Sequence, residues 1–139
     1  MLPLPIGSQA VHQHVVRSAD TATQWGNELP VLATPVLLWL AEITTMRVLE
    51  TALEDGEMTV GYKHADAEHL AATPADWTVT LQATLVAADG KLLTFEIEGR
   101  DASDVVYRGT HVRAVVDRNR FLERFEKKTA AGEVARIPA

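Results

Sequence analysis

A single apolar stretch limits what this chain can fold into more than any other feature: ATPVLLWLAEITTMRVLETAL, residues 33–53. Thr34 is a predicted N-cap, and Pro35 fits the first helical turn, where its missing N–H costs nothing. An Asp-Gly pair at 55–56 is a stop signal. The stretch predicts one long helix whose first turns are apolar on nearly all sides and should be buried. Its predicted core face consists of residues at steps of three and four: Leu38, Ala41, Thr45, Met46, Leu49, Ala52 and Leu53.

Glu42 falls on this predicted apolar face, four residues from both Leu38 and Met46. A carboxylate in such a place is costly unless it is paired, hydrogen-bonded or used in chemistry. The helix alone leaves two interpretations open. Glu42 either reaches water at the edge of the stripe, which is the more common case, or is a catalytic carboxylate on a central helix.

Length and composition exclude several classes of protein. The 139 residues suffice for one domain with a core. The net charge of −6, without a basic block, argues against nucleic acid as a partner. The absence of cysteine excludes disulfides, a thiolate nucleophile and a cysteine metal site. No apolar run approaches the roughly 20 residues of a membrane span, and MLPLPIGS lacks the features of a secretion signal. A cytoplasmic, soluble single domain is expected, with an N-terminal arm (1–8) and a loose C-terminal tail (129–139).

Alternation of apolar and polar residues predicts a sheet of several strands. An Asp-Gly pair at 89–90 marks a hairpin turn, and a Thr-Pro pair at 73–74 marks another turn. In the last strand Tyr107, His111 and Arg113 share one face, opposite several valines. The order of elements predicts an α+β fold in which an antiparallel sheet wraps around one long central helix. The predicted strands span 9–17, 58–70, 78–87, 93–99 and 105–116, and a short helix lies within 117–128.

Two further features precede the long helix. His12 and His14 lie two residues apart in the first strand and therefore face the same side. Such a pair can hold a metal, but no third ligand is near in the sequence, so surface histidines are expected instead. The polar loop 18–30 carries Trp25 and Leu29, which should either pack on the core or line the mouth of a pocket.

Three blocks of the sequence together are distinctive in their order and spacing. The blocks are LAT at 32–34 with Glu42 eight residues on from the threonine, HLAATP at 69–74, and GTHVRAV at 109–115, trailed by Phe121 and Lys128-Thr129. With them the chain resembles the hotdog-fold thioesterases and, within these, the fluoroacetyl-CoA thioesterase-like group. The resemblance covers most of the chain from the long helix onward.

The resemblance implies hydrolysis of an acyl-CoA thioester, with a short acyl chain, by Thr34, Glu42 and His69. Thr34 would stand at the helix N-terminus near the thioester carbonyl, where free N–H groups and the helix dipole favour an oxyanion. Glu42 would be the nucleophile or the general base, for which an apolar surrounding offers a raised pKa. His69 would orient or deprotonate a hydroxyl or a water. No metal and no cofactor are implied, since CoA is part of the substrate.

The chain departs from the family's usual pattern at three places. Pro35 replaces the usual glycine after the threonine and removes one amide from the helix start. Asp76 replaces the glycine of the turn after Thr-Pro, and aspartate tolerates the left-handed conformation that such a turn needs. Leu29 and Trp25 stand where fluoroacetyl-specific members carry phenylalanines. Fluoroacetyl specificity is therefore not carried over.

Substrate contacts are expected from Pro35, Leu29 and Trp25 around the acyl group. Arg113 and Arg108 are candidate ligands of the CoA phosphates, or else ordinary exposed strand residues. Because Thr34 and Glu42 are eight residues apart on one helix, about 12 Å along its axis, the active site is expected to be shared between two chains of a homodimer or a higher oligomer. The resemblance implies the same dimer.

Other functions compete with hydrolysis. The main alternative is a non-catalytic hotdog domain that binds an acyl-CoA or a small apolar ligand. A hotdog dehydratase is weaker, because its pattern of histidine and acid is not found. A purely structural dimer module would need no carboxylate at position 42. A carrier-protein thioester is an alternative to CoA.

Overall fold

Five antiparallel strands and two helices make up residues 1–135, which the computed structural model describes. The strand order in the sheet is β1-β3-β4-β5-β2, so β1 and β2 are its edges. The loop before the first helix contains two short 3-10 turns. No helix in the described part is both long and apolar enough to cross a membrane. The elements are β1 (Gln9–Val15), α1 (Thr34–Leu49), β2 (Glu57–His69), β3 (Thr78–Asp89), β4 (Leu92–Arg100), β5 (Val105–Asp117) and α2 (Arg118–Ala135).

The core lies between α1 and the inner face of the sheet. Alternate residues of β3 and β4 are buried there, as the two-residue period predicted. The inner face of β5 is the one that carries Tyr107, His111 and Arg113, all three of them buried. The apolar sheet residues of the core are Val79, Leu81, Ala83, Leu85, Leu93, Phe95, Ile97, Val106 and Val115.

The predicted helix is confirmed, but its start, its end and its buried face differ from the prediction. Thr34 is the first helical residue and Ala33 is the N-cap, because the Thr34 hydroxyl is engaged by a histidine rather than by the helix amides. The helix ends at Leu49, and the Ala52 N–H donates to the Leu49 carbonyl at 2.9 Å in the turn that follows. The buried residues are Val36, Leu37, Leu40, Ala41, Thr44, Thr45, Val48 and Leu49.

The core face of α1 is thus rotated relative to the predicted stripe. Met46 is 49% exposed and Leu38 only partly buried. Glu42, between them, lies at the edge of the buried face, and its side chain is 35% exposed. This edge faces β2 and β5, so the carboxylate meets their inward-facing polar side chains.

Two predictions outside the core had different outcomes. Asp76 has φ +72°, which confirms the left-handed turn after Thr-Pro. The loose tail predicted from residue 129 is wrong up to residue 135, because α2 runs unbroken to Ala135. Good helix formers dominate its second half, although a glycine interrupts them. Residues 136–139 of the predicted tail lie outside the described residues.

Edge strand β2 contains two irregularities that decide which of its side chains face α1. One lies between Gly61 and Lys63, the other between Ala65 and Glu68. Each adds one residue relative to β5 and so reverses the alternation of the side chains. Asp66, in the second irregularity, has φ +51°. As a result His64 and His69 pair with the inward-facing His111 and Tyr107 of β5.

Candidate active site

Thr34 and His69 meet where the start of α1 passes the end of β2. The Leu32 N–H donates to the Thr73 carbonyl at 2.8 Å, which ties the segment before α1 to the turn after β2. The Thr34 hydroxyl lies 2.7 Å from His69 Nδ1. Thr34 and His69, which are 35 residues apart in the sequence, thereby form one polar pair at the N-terminus of α1.

His69 has the character of a neutral base. Burial lowers its pKa below the ordinary value, although the Ala71 backbone acts in the opposite direction. The unprotonated ring can accept the Thr34 proton at Nδ1, and its Nε2 is buried without a hydrogen-bond partner in the described part of the chain. A hydroxyl next to such a base is the arrangement that activates oxygen nucleophiles or orients a carbonyl.

A surface pocket of about 370 Å³ opens beside this pair. Trp25 and Pro35 line it, and so do Thr34 and His69. Substrate binding by Trp25 and Pro35 stays a prediction. Leu29 is not among its lining residues and is 58% exposed. The remaining walls are mostly small or apolar: Ala22, Asn27, Val31, Leu32 and Ala33.

The first amides of α1 are only partly free. The N–H groups of Val36 and Leu37 both donate to the Ala33 carbonyl, at 3.1 and 3.2 Å. Pro35 has no N–H to offer. The Thr34 amide is left as the helix-start donor without an acceptor among residues 1–135, so it is the amide available to a developing oxyanion.

Glu42 forms the centre of a second cluster, two turns further along α1. Its Oε1 accepts a hydrogen bond from an Arg113 guanidinium nitrogen at 3.1 Å. Its Oε2 lies 3.1 Å from Nε2 of His64. His111 Nε2 is 3.7 Å from Oε1. The carboxylate is thus held between β2 and β5 by basic side chains.

Arg113 and His111 are themselves fixed. The guanidinium donates to the hydroxyl and carbonyl of Thr59 at 2.9 and 3.2 Å. His111 Nδ1 donates to the Lys63 carbonyl at 2.9 Å, so its Nε2 is the acceptor for Arg113 at 3.1 Å. Burial, followed by the neighbouring His64, lowers the pKa of His111 to about 4, so this ring is neutral near pH 7.

The pKa of Glu42 is lowered, which corrects the raised value expected on an apolar face. Burial alone would raise the pKa, but the hydrogen bonds from His64 and Arg113 and the nearby His111 outweigh burial. The carboxylate therefore stays ionised well into the acid range.

Comparison with known proteins shows the family to which the chain belongs. The family model described as fluoroacetyl-CoA-specific thioesterase, FlK, matches residues 16–119. The fluoroacetyl-CoA thioesterase of Streptantibioticus cattleyicolor is 32% identical over 134 residues, which cover 91% of this chain and 96% of that protein. The chain belongs to the FlK family.

Solved structures agree with the FlK assignment. An FlK mutant in complex with acetyl-CoA matches with a TM-score of 0.85 at 28% identity, covering 91% of this chain and 99% of that one. A thioesterase superfamily member from Thermus thermophilus matches with a TM-score of 0.90 over 96% of this chain and 99% of that one. Its identity is 23%, so that likeness concerns the fold alone. The hotdog fold is thereby confirmed.

The two arginines proposed for CoA phosphates in this FlK member occupy unsuitable places. Arg113 is buried and ion-paired with Glu42 inside the sheet. Arg108 lies on the outer face, where it is paired with Glu98 at 3.5 Å and stands opposite Glu68 in the register. Carboxylates around a cation weaken its attraction for a phosphate. These surroundings disfavour phosphate binding by either arginine.

Neither of the two histidine clusters is assigned as a metal site. Donor atoms of Glu42, His64 and His111 lie within 4.8 Å of one another. However, Arg113 contacts two of these donors, so the guanidinium already supplies the positive charge that a metal would bring. In the first strand, His14 is hydrogen-bonded to Asp20 at 2.8 Å rather than aligned with His12 toward a common ligand.

The sequence pointed to Thr34, Glu42 and His69, and the fold joins only two of these three. No hydrogen bond or ion pair within the described chain links Glu42 to Thr34 or His69. His64 and His111 were not predicted as site residues. His111 could have been predicted as a site residue, because it shares a strand face with Arg113 in the GTHVRAV block. His64 could not, since regular alternation from Gly61 would turn its side chain away from α1.

Proposed function

We propose that this FlK-family protein hydrolyses short-chain acyl-CoA thioesters to the free acid and CoA. The observation that carries the proposal is the Thr34–His69 hydrogen bond of 2.7 Å at a helix start beside a pocket. The relatives support the substrate class, because one is a fluoroacetyl-CoA thioesterase and another FlK chain was solved with acetyl-CoA. Water is the second reactant, so we propose no cofactor. A cytoplasmic location remains a prediction.

The chemistry can be assigned to groups of this chain. The thioester oxygen would lie toward the Thr34 amide, where the helix dipole favours negative charge, while the Thr34 hydroxyl donates its proton to His69. The ionised Glu42 supplies the attack on the acyl carbon, either directly or by taking a proton from water. The C–S bond breaks as the new C–O bond forms, and CoA leaves as a thiolate that is then protonated. In the direct route, water hydrolyses the resulting anhydride, and its proton passes through the Thr34 hydroxyl to His69 Nδ1. That proton, or in the other route the proton held by Glu42, then neutralises the CoA thiolate.

A dimer is part of this proposal, since one helix holds Thr34 and Glu42 about 12 Å apart along its axis. A second copy with its α1 antiparallel would bring its Glu42 to the Thr34 end of the first, and two-fold symmetry would create two equal sites. Two features support this pairing. The thirteen-residue strand β2 is an open edge. Large apolar side chains of α1 and β2 are exposed, namely Trp39, Met46 and Tyr62.

The pocket argues for a small acyl group. Its volume of about 370 Å³ is near the lower end for ligand pockets. Trp25 lines the pocket although 58% of the residue is exposed, and Leu29 stays on the surface. We propose acyl chains of a few carbons and do not assign fluoroacetyl specificity, because the loop lacks the phenylalanines of the fluoroacetyl-specific members.

A thiol-release assay over acetyl-, butyryl-, octanoyl- and fluoroacetyl-CoA tests the function. We expect turnover of the two- and four-carbon substrates, with kcat/KM for octanoyl-CoA at least about tenfold lower, since a longer chain would have to displace the pocket walls to keep its thioester beside Thr34. Thr34→Ala, purified identically, controls for a contaminating esterase. Binding of acyl-CoA without any release of thiol would establish the non-catalytic alternative instead.

A further inference from the structure

His64 lies in the site, but no step of the proposed hydrolysis uses it. The irregularity between Gly61 and Lys63 turns its side chain toward α1, opposite His111. Irregularities of this kind commonly re-aim a side chain next to an active site. In this orientation, Nε2 of the His64 ring lies 3.1 Å from Glu42 Oε2.

The Glu42 carboxylate is held on each oxygen by a different strand. Arg113 on β5 binds Oε1, and His64 on β2 binds Oε2. Arg113 cannot easily take over the second oxygen, because its other two nitrogens are committed to Thr59. Without His64, Oε2 would have no donor from residues 1–135, and the carboxylate could rotate about its last torsion.

Packing leaves the His64 ring little freedom. It stacks on His111 with centroids 4.1 Å apart and planes 21° apart. His111 in turn is locked by the Lys63 carbonyl and by Arg113. On the other side of the carboxylate, a Cβ at Gly61 would lie 2.7 Å from Oε1, so the strand backbone limits where that oxygen can go.

We propose that His64 is a positioning residue for Glu42, whose Nε2–H fixes the second carboxylate oxygen and keeps the side chain in its attacking orientation. The groups facing His64 are Glu42 from α1 and His111 and Arg113 from β5. This inference rests on the proposed hydrolysis for its kinetic consequence. The hydrogen bond itself can be tested without substrate.

His64→Ala is expected to lower kcat roughly 10- to 100-fold with little change in KM, the scale on which a slightly misplaced catalytic group loses rate. The limb of the kcat profile that reports Glu42, separate from the limb that reports His69, should move to higher pH, since the Glu42 carboxylate has lost a donor that stabilised its charge. His64→Gln keeps an N–H donor near the same place and should restore most of kcat and the position of the limb. His12→Ala is the matched control, because His12 is a half-buried strand histidine without a side-chain hydrogen bond in the described chain.

An NMR titration of the carbon-13-labelled Glu42 carboxyl group separates this inference from the proposed function. The titration midpoint should rise in His64→Ala and return in His64→Gln, whether or not the wild type hydrolyses a thioester. Thermal unfolding shows whether each variant is folded, and His64→Gln retains a side chain at the site if His64→Ala does not fold. An unchanged Glu42 midpoint in a folded His64→Ala, or a folded His64→Gln as impaired as His64→Ala, would overturn the positioning role.

Discussion

Replacing Glu42 by glutamine is expected to reduce kcat by about a thousandfold or more, because the amide can neither attack an acyl carbon nor take a proton from water. The substitution preserves shape, and the glutamine oxygen can still accept the hydrogen bond from Arg113. The loss of charge beside a buried guanidinium should nevertheless lower the free energy of unfolding by about 1 kcal/mol. Thiol release and urea denaturation measure the two effects.

The control for this variant is Glu50→Gln, which removes an exposed carboxylate just after the same helix. It should leave both kcat and stability near the wild-type values. If Glu42→Gln kept most of the wild-type turnover, the carboxylate would be a structural partner of Arg113 and not a participant in hydrolysis.

Replacing His69 by alanine is expected to lower kcat roughly a hundredfold or more, the usual contribution of a positioned acid–base group. The pH dependence of kcat tests whether His69 acts as a proton acceptor. Burial lowers the pKa of His69, so the wild-type ring remains an unprotonated acceptor below pH 6.5 and activity falls only as the pH drops through that lowered pKa. The limb due to His69 should be missing from the residual activity of the variant.

His14→Ala is the matched control for this second substitution, since it removes a histidine that is hydrogen-bonded to Asp20 and lies outside the pocket beside Thr34. It should keep the wild-type pH profile. A His69→Ala enzyme with unchanged kcat and pH profile but a raised KM would show that His69 binds the substrate and does not transfer protons.

The fold could be predicted from the sequence wherever local pattern and tertiary structure agree. The strand β4, and β3 as far as Leu85, alternate between buried and more exposed residues, and Asp76 occupies the left-handed turn position that its side chain tolerates. The observed buried face of α1 is rotated about the helix axis from the predicted face. The helix is apolar on most sides near its start, so the hydrophobic periodicity there is weak. The extent of α2 was missed, since its polar composition carries no apolar stripe beyond Phe125.

The site was predictable in its residue types but not in its grouping. Glu42 could be predicted as a site residue because it is a carboxylate among apolar residues. In the structure His64 and Arg113 hydrogen-bond this carboxylate and so stabilise its charge. The irregularity in β2 between Gly61 and Lys63, invisible in the sequence, decides that His64 faces inward. The sequence predicts Arg113 as a phosphate ligand or an exposed strand residue, because arginine usually is exposed. In the structure the partly buried Glu42 carboxylate and Thr59 compensate the charge and the hydrogen-bond donors of the buried guanidinium.

The shared active site is tested most directly by mixing two inactive variants, Thr34→Ala and Glu42→Ala, under conditions in which subunits exchange. In each heterodimer one site would combine the intact Thr34 and His69 of one chain with the intact Glu42 cluster of the other, while the second site carries both lesions. Random mixing makes about half of the dimers heterodimers with one working site of two, so activity should return to about a quarter of the wild-type value. A mixture that stays as inactive as its components, with exchange confirmed by native mass spectrometry, would contradict a site built from two chains.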